Sequence, residues 1–215
     1  MQSFYVNRDR GAKTKMRMKK WIKCIWLYAV IGLLLLGQAV TADDKGAAEG
    51  FLKSNLDAVF EVLKKKDSDP QAKNSEVVEI VTPMFDFKRM AKLSLGRKYW
   101  PDLSREHKEK FTELFVERLR QFYLNKLTAY TDEKIVYESA VAVKKKIHIS
   151  THLISKNKKI SMLYKLYPSN NTWKIYDVEI QGVSIIRSYR AQFEEILQKG
   201  TFDDLLQKMQ KSVNN

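Results

Sequence analysis

The chain has 215 residues, of which 44% are hydrophobic and 30% are charged, and its single cysteine is Cys24. A chain of this length can bury one sizeable core but is short for two large domains. One cysteine excludes an internal disulfide and a zinc site built from several thiolates. The formal net charge of +14 is unevenly distributed, with much of it near the N-terminus.

Residues 1–42 have the composition of an export signal. They hold eight of the 39 lysines and arginines, one of the 25 acidic residues, an apolar run at residues 24–36 and small residues at 40–42. This order is typical of a cleavable signal peptide, and the apolar run is shorter than the roughly 20 residues that span a bilayer. We therefore predict that residues 1–42 are a signal peptide and that residues 43–215 form one exported domain, with a net charge of +7.

Hydrophobic residues in the first half of this domain recur every three or four positions, as in amphipathic α-helices. One helix is predicted over residues 52–63 and a short one over residues 77–81, which ends near Thr82 and the proline that follows it. Asp86 is placed to cap a third helix through its carboxylate, and Gly96 is placed to end it. The first half is therefore predicted to be helical.

A further helix is predicted to start near Pro101 and Ser104. Its large apolar residues lie at helical spacing and form one stripe: Phe111, Leu114, Phe115, Leu119, Phe122, Tyr123, Leu127 and Tyr130. Because this stripe holds so many large side chains, we expect the helix to be the longest one and the central packing element.

The second half changes to the alternating pattern of β-strands, rich in β-branched and aromatic residues. Four strands are predicted, at residues 134–140, 147–154, 160–167 and 173–180. The short polar links at residues 155–159 and 168–172 indicate hairpins, so the sheet is expected to be antiparallel.

Two further helices are predicted after the strands. The first begins near Gly182 and Ser184 and ends at Gly200, and Thr201 with Asp204 forms a capping box for the second. Helices, then antiparallel strands, then helices indicate an α+β architecture. We expect a four-stranded, curved antiparallel sheet wrapped by helices, with a cavity of the NTF2-like type between the two layers where an apolar ligand would bind.

The sequence offers little that points to catalysis, a cofactor or a metal. It lacks the short motifs of serine hydrolases, zinc proteases and nucleotide-binding loops. His148 and His152 share one strand face, but strand geometry separates them by roughly 13 Å, too far for one metal ion. Asp86, Asp102 and Asp177 are explained as helix caps, turn residues and strand-edge hydrogen bonds. We predict that the protein is not an enzyme and binds no metal or cofactor.

Three segments carry a resemblance to a known family. They are residues 85–100, FDFKRMAKLSLGRKYW, and residues 173–193, WKIYDVEIQGVSIIRSYRAQF, and the stretch from Phe122 to Tyr130 continues the first. In matching order over about residues 45–210, the chain resembles the MlaC family. These are the toluene-tolerance or phospholipid-binding proteins of Gram-negative bacteria.

The resemblance implies a soluble, monomeric carrier in the periplasm whose sheet and helices enclose the acyl chains of a phospholipid. It also implies two partners: the lipid-binding subunit of an inner-membrane ABC transporter, and an outer-membrane lipoprotein–porin complex. Such a carrier shuttles lipid between these complexes and maintains outer-membrane lipid asymmetry. A sister branch of the family is linked to hopanoid lipids, so a hopanoid carrier of the same fold stays open as an alternative.

The predicted lipid-binding wall consists of eight apolar residues: Leu119, Tyr123, Leu127, Tyr164, Leu166, Ile180, Val183 and Ile186. For Val183 the resemblance is the source, because the valine of the family's Gly-Val-Ser turn lies beside the pocket. Plain core packing is the alternative for each residue, since periodicity does not distinguish a filled core from a core with a cavity.

Two interpretations from other classes also stay open. A non-catalytic adaptor between envelope complexes would have a solid core, whereas an exported enzyme would place paired acid and base residues in its cavity. Basic runs at residues 144–146 and 156–159 are interpreted as solvated hairpin ends, or as contacts to acidic headgroups or an acidic partner. Export argues against nucleic acid as the partner of these lysines.

Overall fold

The computed structural model describes residues 42–65, 69–124, 134–155 and 158–214. Within these ranges the helices are α1 (Ala42–Lys64), α2 (Pro70–Val81), α3 (Phe87–Leu95), α4 (Arg105–Leu119), α5 (Ile185–Lys199) and α6 (Phe202–Asn214). The strands are β1 (Lys134–Tyr137), β2 (Val141–Val143), β3 (Lys146–Ser155), β4 (Lys158–Ser169), β5 (Thr172–Ile180) and β6 (Val183–Ser184). A 3-10 turn, Thr82–Met84, follows α2, and a π-helical turn, Arg120–Leu124, follows α4.

The strands form one sheet in the order β1-β3-β4-β5-β6, and β2 also pairs with β3. β1 pairs with residues 151–154 of β3 and β2 pairs with residues 146–148, so the two short strands together make one interrupted edge. Within the interruption, Ala140 donates its backbone N–H to Glu49 Oε1 at 2.5 Å. The pairings between these strands are antiparallel, as predicted.

Two tight hairpin turns depend on residues that tolerate positive φ. Asn170 and Asn171, with φ of 47° and 60°, join β4 to β5, and Gln181 and Gly182, with φ of 51° and 79°, join β5 to β6. Positive φ at both central residues is the geometry of a type I′ turn, whose twist matches the twist of the strands. The second turn places Val183 beside the end of β5.

The strand count departs from the sequence prediction, because the sheet has six strands in the described part of the chain and not four. The predicted strand at residues 134–140 ends at Tyr137, with one further backbone hydrogen bond from Glu138 N to Ser150 O at 2.9 Å, and the edge resumes as β2. β2 and β6 are three and two residues long, too short for an alternating pattern to indicate them. The α+β class and the antiparallel sheet are confirmed.

Side-chain caps decide where the helices begin. The same cap, a side-chain oxygen that accepts from the backbone N–H three residues later at 2.9–3.1 Å, is made by Asp69, Asp86, Ser104 and Ser184. The predicted capping box is confirmed, because Thr201 N donates to Asp204 Oδ2 at 2.7 Å and Asp204 N donates to Thr201 Oγ1 at 3.2 Å. These caps satisfy N–H groups that have no partner within the helix.

α4 is the packing centre of the helices, as predicted, although it is not the longest of those described. It has 15 residues and α1 has 23, and residues 125–130 of its predicted extent lie outside the described ranges. Phe111 and Phe115 are fully buried. Their rings meet α5 edge to face, with centroids 5.3 Å apart for Phe111 and Phe193 and 5.2 Å apart for Phe115 and Tyr189. This geometry is favourable for aromatic pairs.

The main core lies between these helices and the inner face of the sheet. On the sheet side, Ile147, Leu166 and Ile175 have no exposed surface. A second, separate cluster joins α1 to α2 and contains Val59, Val62, Leu63 and Val77. The α1–α2 pair is therefore held together by contacts of its own.

The predicted signal peptide falls almost entirely outside the described residues, which begin at residue 42. Its cleavage and its role in export stay predictions. Within the described ranges, no helix combines the length and the hydrophobicity that are needed to cross a membrane.

A buried carboxylate ties β5 to β4, β6 and α5. Asp177 is 5% exposed; its Oδ2 accepts from Lys165 Nζ at 2.9 Å and from Ser184 Oγ at 2.8 Å, and its Oδ1 accepts from Ile186 N at 3.2 Å. Lys165 Nζ also donates to Glu179 Oε1 at 2.6 Å. Burial by itself would lower the pKa of Lys165, but its hydrogen bonds to the two carboxylates raise that pKa.

We expect the substitution Asp177→Ala to lower the free energy of unfolding by about 2–4 kcal/mol, because it removes the acceptor of three buried donors at once. Urea denaturation of the purified protein measures this change. Asp102→Ala, in the exposed turn before α4, is the matched control and should change the free energy by less than about 0.5 kcal/mol. Similar effects of the two substitutions would contradict the structural role of Asp177.

Candidate functional site

A cavity of about 460 Å³ lies between the α1–α2 pair and the inner face of the sheet. Small-molecule sites typically occupy about 300–1,000 Å³, so the cavity has the size of a ligand site. Of the 24 described residues that line it, 21 are hydrophobic. An apolar ligand, or the apolar part of an amphiphile, is the chemistry that this lining fits.

The helical wall comes mainly from α1 and α2. Because α1 has a wide apolar face, it supplies both the cluster that holds α2 and the residues that face the cavity. The lining residues from these two helices are Leu56, Val59, Phe60, Leu63, Val78 and Val81. Residues that follow α2 or belong to α3 close the adjoining side: Met84, Phe85, Phe87 and Met90.

The sheet wall follows from the two-residue repeat of the strands, which points alternate side chains inward. Cross-strand partners are in register, so that inward residues such as Met162 and Ile180 lie side by side. The inward residues that line the cavity are Ile135, Leu153, Ile160, Met162, Tyr164, Val178 and Ile180. Four strands therefore contribute to one continuous apolar surface.

Polar and exposed lining residues mark the opening of the cavity. Among the described lining residues, Thr82, Arg120 and Ser188 are the three that are not hydrophobic. Phe122 and Val183 are 54% and 59% exposed, and the Arg120 side chain is 43% exposed. A guanidinium and two hydroxyls beside an apolar interior fit an amphiphile whose polar end stays at the opening.

The described lining is poor in groups for acid–base chemistry, and burial raises the pKa of its tyrosine, Tyr164, to about 12. It contains no histidine, cysteine, aspartate, glutamate or lysine among the described residues, and Arg120 is the charged residue within it. An exported enzyme would require a proton donor and acceptor facing the ligand. Across the same part of the chain, no three His, Cys, Asp or Glu side chains lie close enough together to hold a metal ion.

Two of the histidines lie on the outer face of the sheet, opposite to the cavity. His152 Nε2 is 2.5 Å from Glu138 Oε1 and its Nδ1 is 3.1 Å from Ser161 Oγ. His148 Nε2 is 3.5 Å from the Tyr176 hydroxyl. Both imidazoles therefore contact neighbours on the outer face of the sheet, away from the candidate site.

The structure brings together half of the predicted wall. Four of the eight predicted residues line the cavity: Leu119, Tyr164, Ile180 and Val183. Leu166 and Ile186 are 0% and 4% exposed but belong to the main core and are not among the lining residues. Ile185 lines the cavity next to Ile186. The side chain of Tyr123 and the whole of Leu127 fall outside the described residues.

Sequence reasoning missed the wall that α1 and α2 supply. The signal that was available is the width of the apolar face of α1, where residues 56, 59, 60, 62 and 63 are all hydrophobic. A helix that packs against one neighbour needs a narrower stripe. The additional width of the apolar face of α1 indicates a second contact surface. It does not indicate whether protein or ligand covers that surface.

Comparison with known proteins finds matches over most of the chain. The sequence model of the MlaC protein family matches residues 53–211. The intermembrane phospholipid transport system binding protein MlaC of Haemophilus influenzae is 26% identical over 208 residues, which cover 92% of this chain and 95% of that protein. The toluene tolerance protein ttg2D of Pseudomonas putida is 27% identical over 138 residues, 63% of this chain and 64% of that protein.

A solved structure shares the fold. It is a phospholipid-binding protein from Ralstonia solanacearum, in complex with a phospholipid, and superimposes with a TM-score of 0.71 at 22% sequence identity. The similarity covers 78% of this chain and 97% of that chain. It supports the same arrangement of helices around an antiparallel sheet.

The half-buried position of His148 leads to a prediction about pH. Burial lowers the pKa of this imidazole, and the nearby ammonium groups of Lys165 and Lys146 lower it further. The unfolded chain, with a pKa near 6.5, therefore binds this proton at a higher pH than the folded protein does. The contribution of His148 to stability is retained above pH 6.5 and is lost as the pH falls below it.

We expect the free energy of unfolding, measured in urea, to decrease when the pH is lowered from about 7 to about 5.5. The substitution His148→Asn should remove part of this decrease, because asparagine does not titrate. An NMR titration should place the midpoint of the His148 ring below 6.5. A midpoint above that value, or an unchanged pH dependence in the variant, would contradict the prediction.

Proposed function

This chain belongs to the MlaC family, as its sequence resemblance indicates, and on that basis we propose that it is a periplasmic phospholipid carrier. In this proposal it receives a phospholipid at one membrane complex, holds the acyl chains in its cavity and releases them at another. The observation that carries the proposal is the cavity of about 460 Å³ with 21 hydrophobic residues among the 24 described lining residues.

The energetics of acyl chains in water explain why a carrier is needed. At about 0.8 kcal/mol per methylene, exposing roughly 30 methylenes of a diacyl lipid to water costs on the order of 20 kcal/mol or more. A wall of aliphatic and aromatic residues offsets that cost without any specific hydrogen bond. The described lining of the cavity, which is mostly hydrophobic, has the composition that shielding acyl chains from water requires.

The polar residues at the opening of the cavity favour the binding of an anionic headgroup. Arg120 lies at the lining with its side chain 43% exposed, and guanidinium groups form strong, charge-assisted hydrogen bonds with phosphate oxygens. Thr82 and Ser188 add hydroxyls to the same lining. In the proposed complex the phosphate contacts these residues while the chains lie inside.

Location and partners belong to the same proposal. Residues 1–42 would act as the signal peptide that exports the domain to the periplasm. The partners would be an inner-membrane ABC transporter, through its lipid-binding subunit, and an outer-membrane lipoprotein–porin complex, and the exchange would maintain outer-membrane lipid asymmetry. The chain has no nucleotide-binding loop, so the direction of transfer would be set by the different affinities of the partners for lipid.

The other interpretations fit the cavity less well. An adaptor with a solid core would not need a ligand-sized cavity, and an enzyme would need acid–base groups, in which the described lining is poor. A hopanoid carrier would use the same apolar walls. Arg120 at the opening favours a lipid with an anionic headgroup over a lipid without one.

The first test is to express the full chain in a Gram-negative host, purify the protein from the periplasm and identify co-purified lipid by mass spectrometry. We expect near-stoichiometric phosphatidylethanolamine and phosphatidylglycerol, because an apolar wall accommodates the acyl chains of either lipid, and an N-terminus at residue 43. A folded, lipid-free protein that takes up no added phospholipid would overturn the proposal.

A pair of valine substitutions tests the opening. Val183 lines the cavity and is 59% exposed, whereas Val141 is on the outer face of the sheet and is 58% exposed. We expect Val183→Glu to reduce co-purified phospholipid roughly tenfold, because the carboxylate must be desolvated beside the chains and repels the phosphate. Val141→Glu is the matched control and should retain its lipid. Equal lipid content in the two variants would contradict the placement of the opening.

A further inference from the structure

Two buried hydroxyl groups lie on the inner face of the sheet without strong hydrogen-bond acceptors. Tyr164 lines the cavity and is 7% exposed, and its hydroxyl lies 3.6 Å from the Met162 Sδ. A thioether sulfur is only a weak acceptor. Burial raises the pKa of Tyr164 to about 12, although the Thr151 hydroxyl beside it opposes part of that rise. The phenol therefore stays protonated and keeps its donor at physiological pH.

Thr151 supplies the second hydroxyl. It has no exposed surface, and its Oγ1 finds no hydrogen-bond partner among the described residues. Its cross-strand partner on β4 is Met162, so that Thr151 is the diagonal neighbour of Tyr164 on the same face. Buried hydroxyls are nearly always hydrogen-bonded, and a buried orphan therefore calls for a specific explanation.

Tyr164 lies in the cavity lining, and Thr151, which is not itself a lining residue, is the cross-strand partner of the lining residue Met162. Met162 and Ile180 line the cavity and lie side by side, and Ile180 pairs in turn with Val183 at the opening. The row from Val183 to Met162 therefore leads from the opening to the hydroxyl pair. Met162 is unbranched and flexible, so its sulfur can yield to a better acceptor that enters the cavity.

We propose that the hydroxyls of Thr151 and Tyr164 bind an ester carbonyl oxygen of the lipid, which gives the carrier a preference for acyl-ester lipids over lipids without a carbonyl. This inference rests on the proposed function. Neutral donors in an apolar wall suit a neutral acceptor, whereas a phosphate would have to lose its hydration beside them. An ester carbonyl is the neutral acceptor that a diacyl phospholipid carries next to its chains.

The experiment compares two probes that differ only in the carbonyl: a diester phosphatidylglycerol and the corresponding dialkyl-ether lipid with the same chain length. Delipidated wild-type protein and the variants Tyr164→Phe, Thr151→Val and the double variant are titrated with each lipid. We expect wild-type protein to bind the diester more tightly, by roughly two- to tenfold for each hydrogen bond formed. The double variant should lose this preference, so that its affinities for the two lipids become equal.

Two controls separate a ligand contact from a structural effect. Thr151→Ser keeps a hydroxyl at the same position and should keep the ester preference. Tyr167→Phe removes a tyrosine hydroxyl that donates to Asp86, away from the cavity lining, and should leave the preference as in the wild type. Thermal unfolding should show that Thr151→Val is folded, because valine has nearly the same shape as threonine.

Equal affinity of the wild type for ester and ether lipids would overturn the inference and leave the phospholipid carrier intact. Equal losses for both lipids in the variants would also overturn it, since a structural role does not distinguish the two probes. A wild-type protein that binds neither lipid would overturn the proposed function itself.

Discussion

The inner face of the sheet must be kept out of water along its whole length, and two helical layers share that task. One layer, α3 to α6, fills the space above Ile147, Leu166 and Ile175 and forms the main core together with Ala48 and Leu52 of α1. The other, the α1–α2 pair, has its own hydrophobic contacts around Val59 and Val77. Because this pair is stabilised by those contacts, it can cover the rest of the sheet without filling every space. The cavity is the volume that remains between the pair and the sheet.

The position of the cavity opening depends on a charged network on the other side of β5. Asp177 binds Lys165 on β4, the Ser184 hydroxyl and the first turn of α5. This network, together with the tight turn at Gln181 and Gly182, determines where Val183 and α5 lie relative to the sheet. A buried carboxylate is unfavourable unless it is fully paired, and the bonds made by Asp177 provide that pairing. Its effect on the site is indirect, through the backbone that it holds.

The chemistry of the site divides between a large apolar wall and a few polar groups. The wall sets the class of ligand, since hydrophobic burial is non-directional and accommodates chains of different length and saturation. Polar residues such as Arg120 at the opening and Tyr164 inside are the ones able to orient a lipid or distinguish its headgroup region. A carrier also has to release its ligand, and a wall without strong specific bonds is compatible with transfer in either direction.

Local features of this fold could be predicted from the sequence because their causes are local. Asp86 caps α3, Thr201 and Asp204 start α6, and the polar links between the central strands make hairpins; each depends on residues a few positions apart. The resemblance over the segments around residues 85–100 and 173–193 likewise indicated the family that the match over residues 53–211 establishes.

Tertiary structure alone decided which apolar residues face a cavity. Tyr164 lines it and Leu166 does not, although both point to the same face of β4 and both belong to the main core. Periodicity shows which face of an element avoids water. What lies opposite that face depends on contacts between residues far apart in the chain, and these are made only when the helices pack on the sheet.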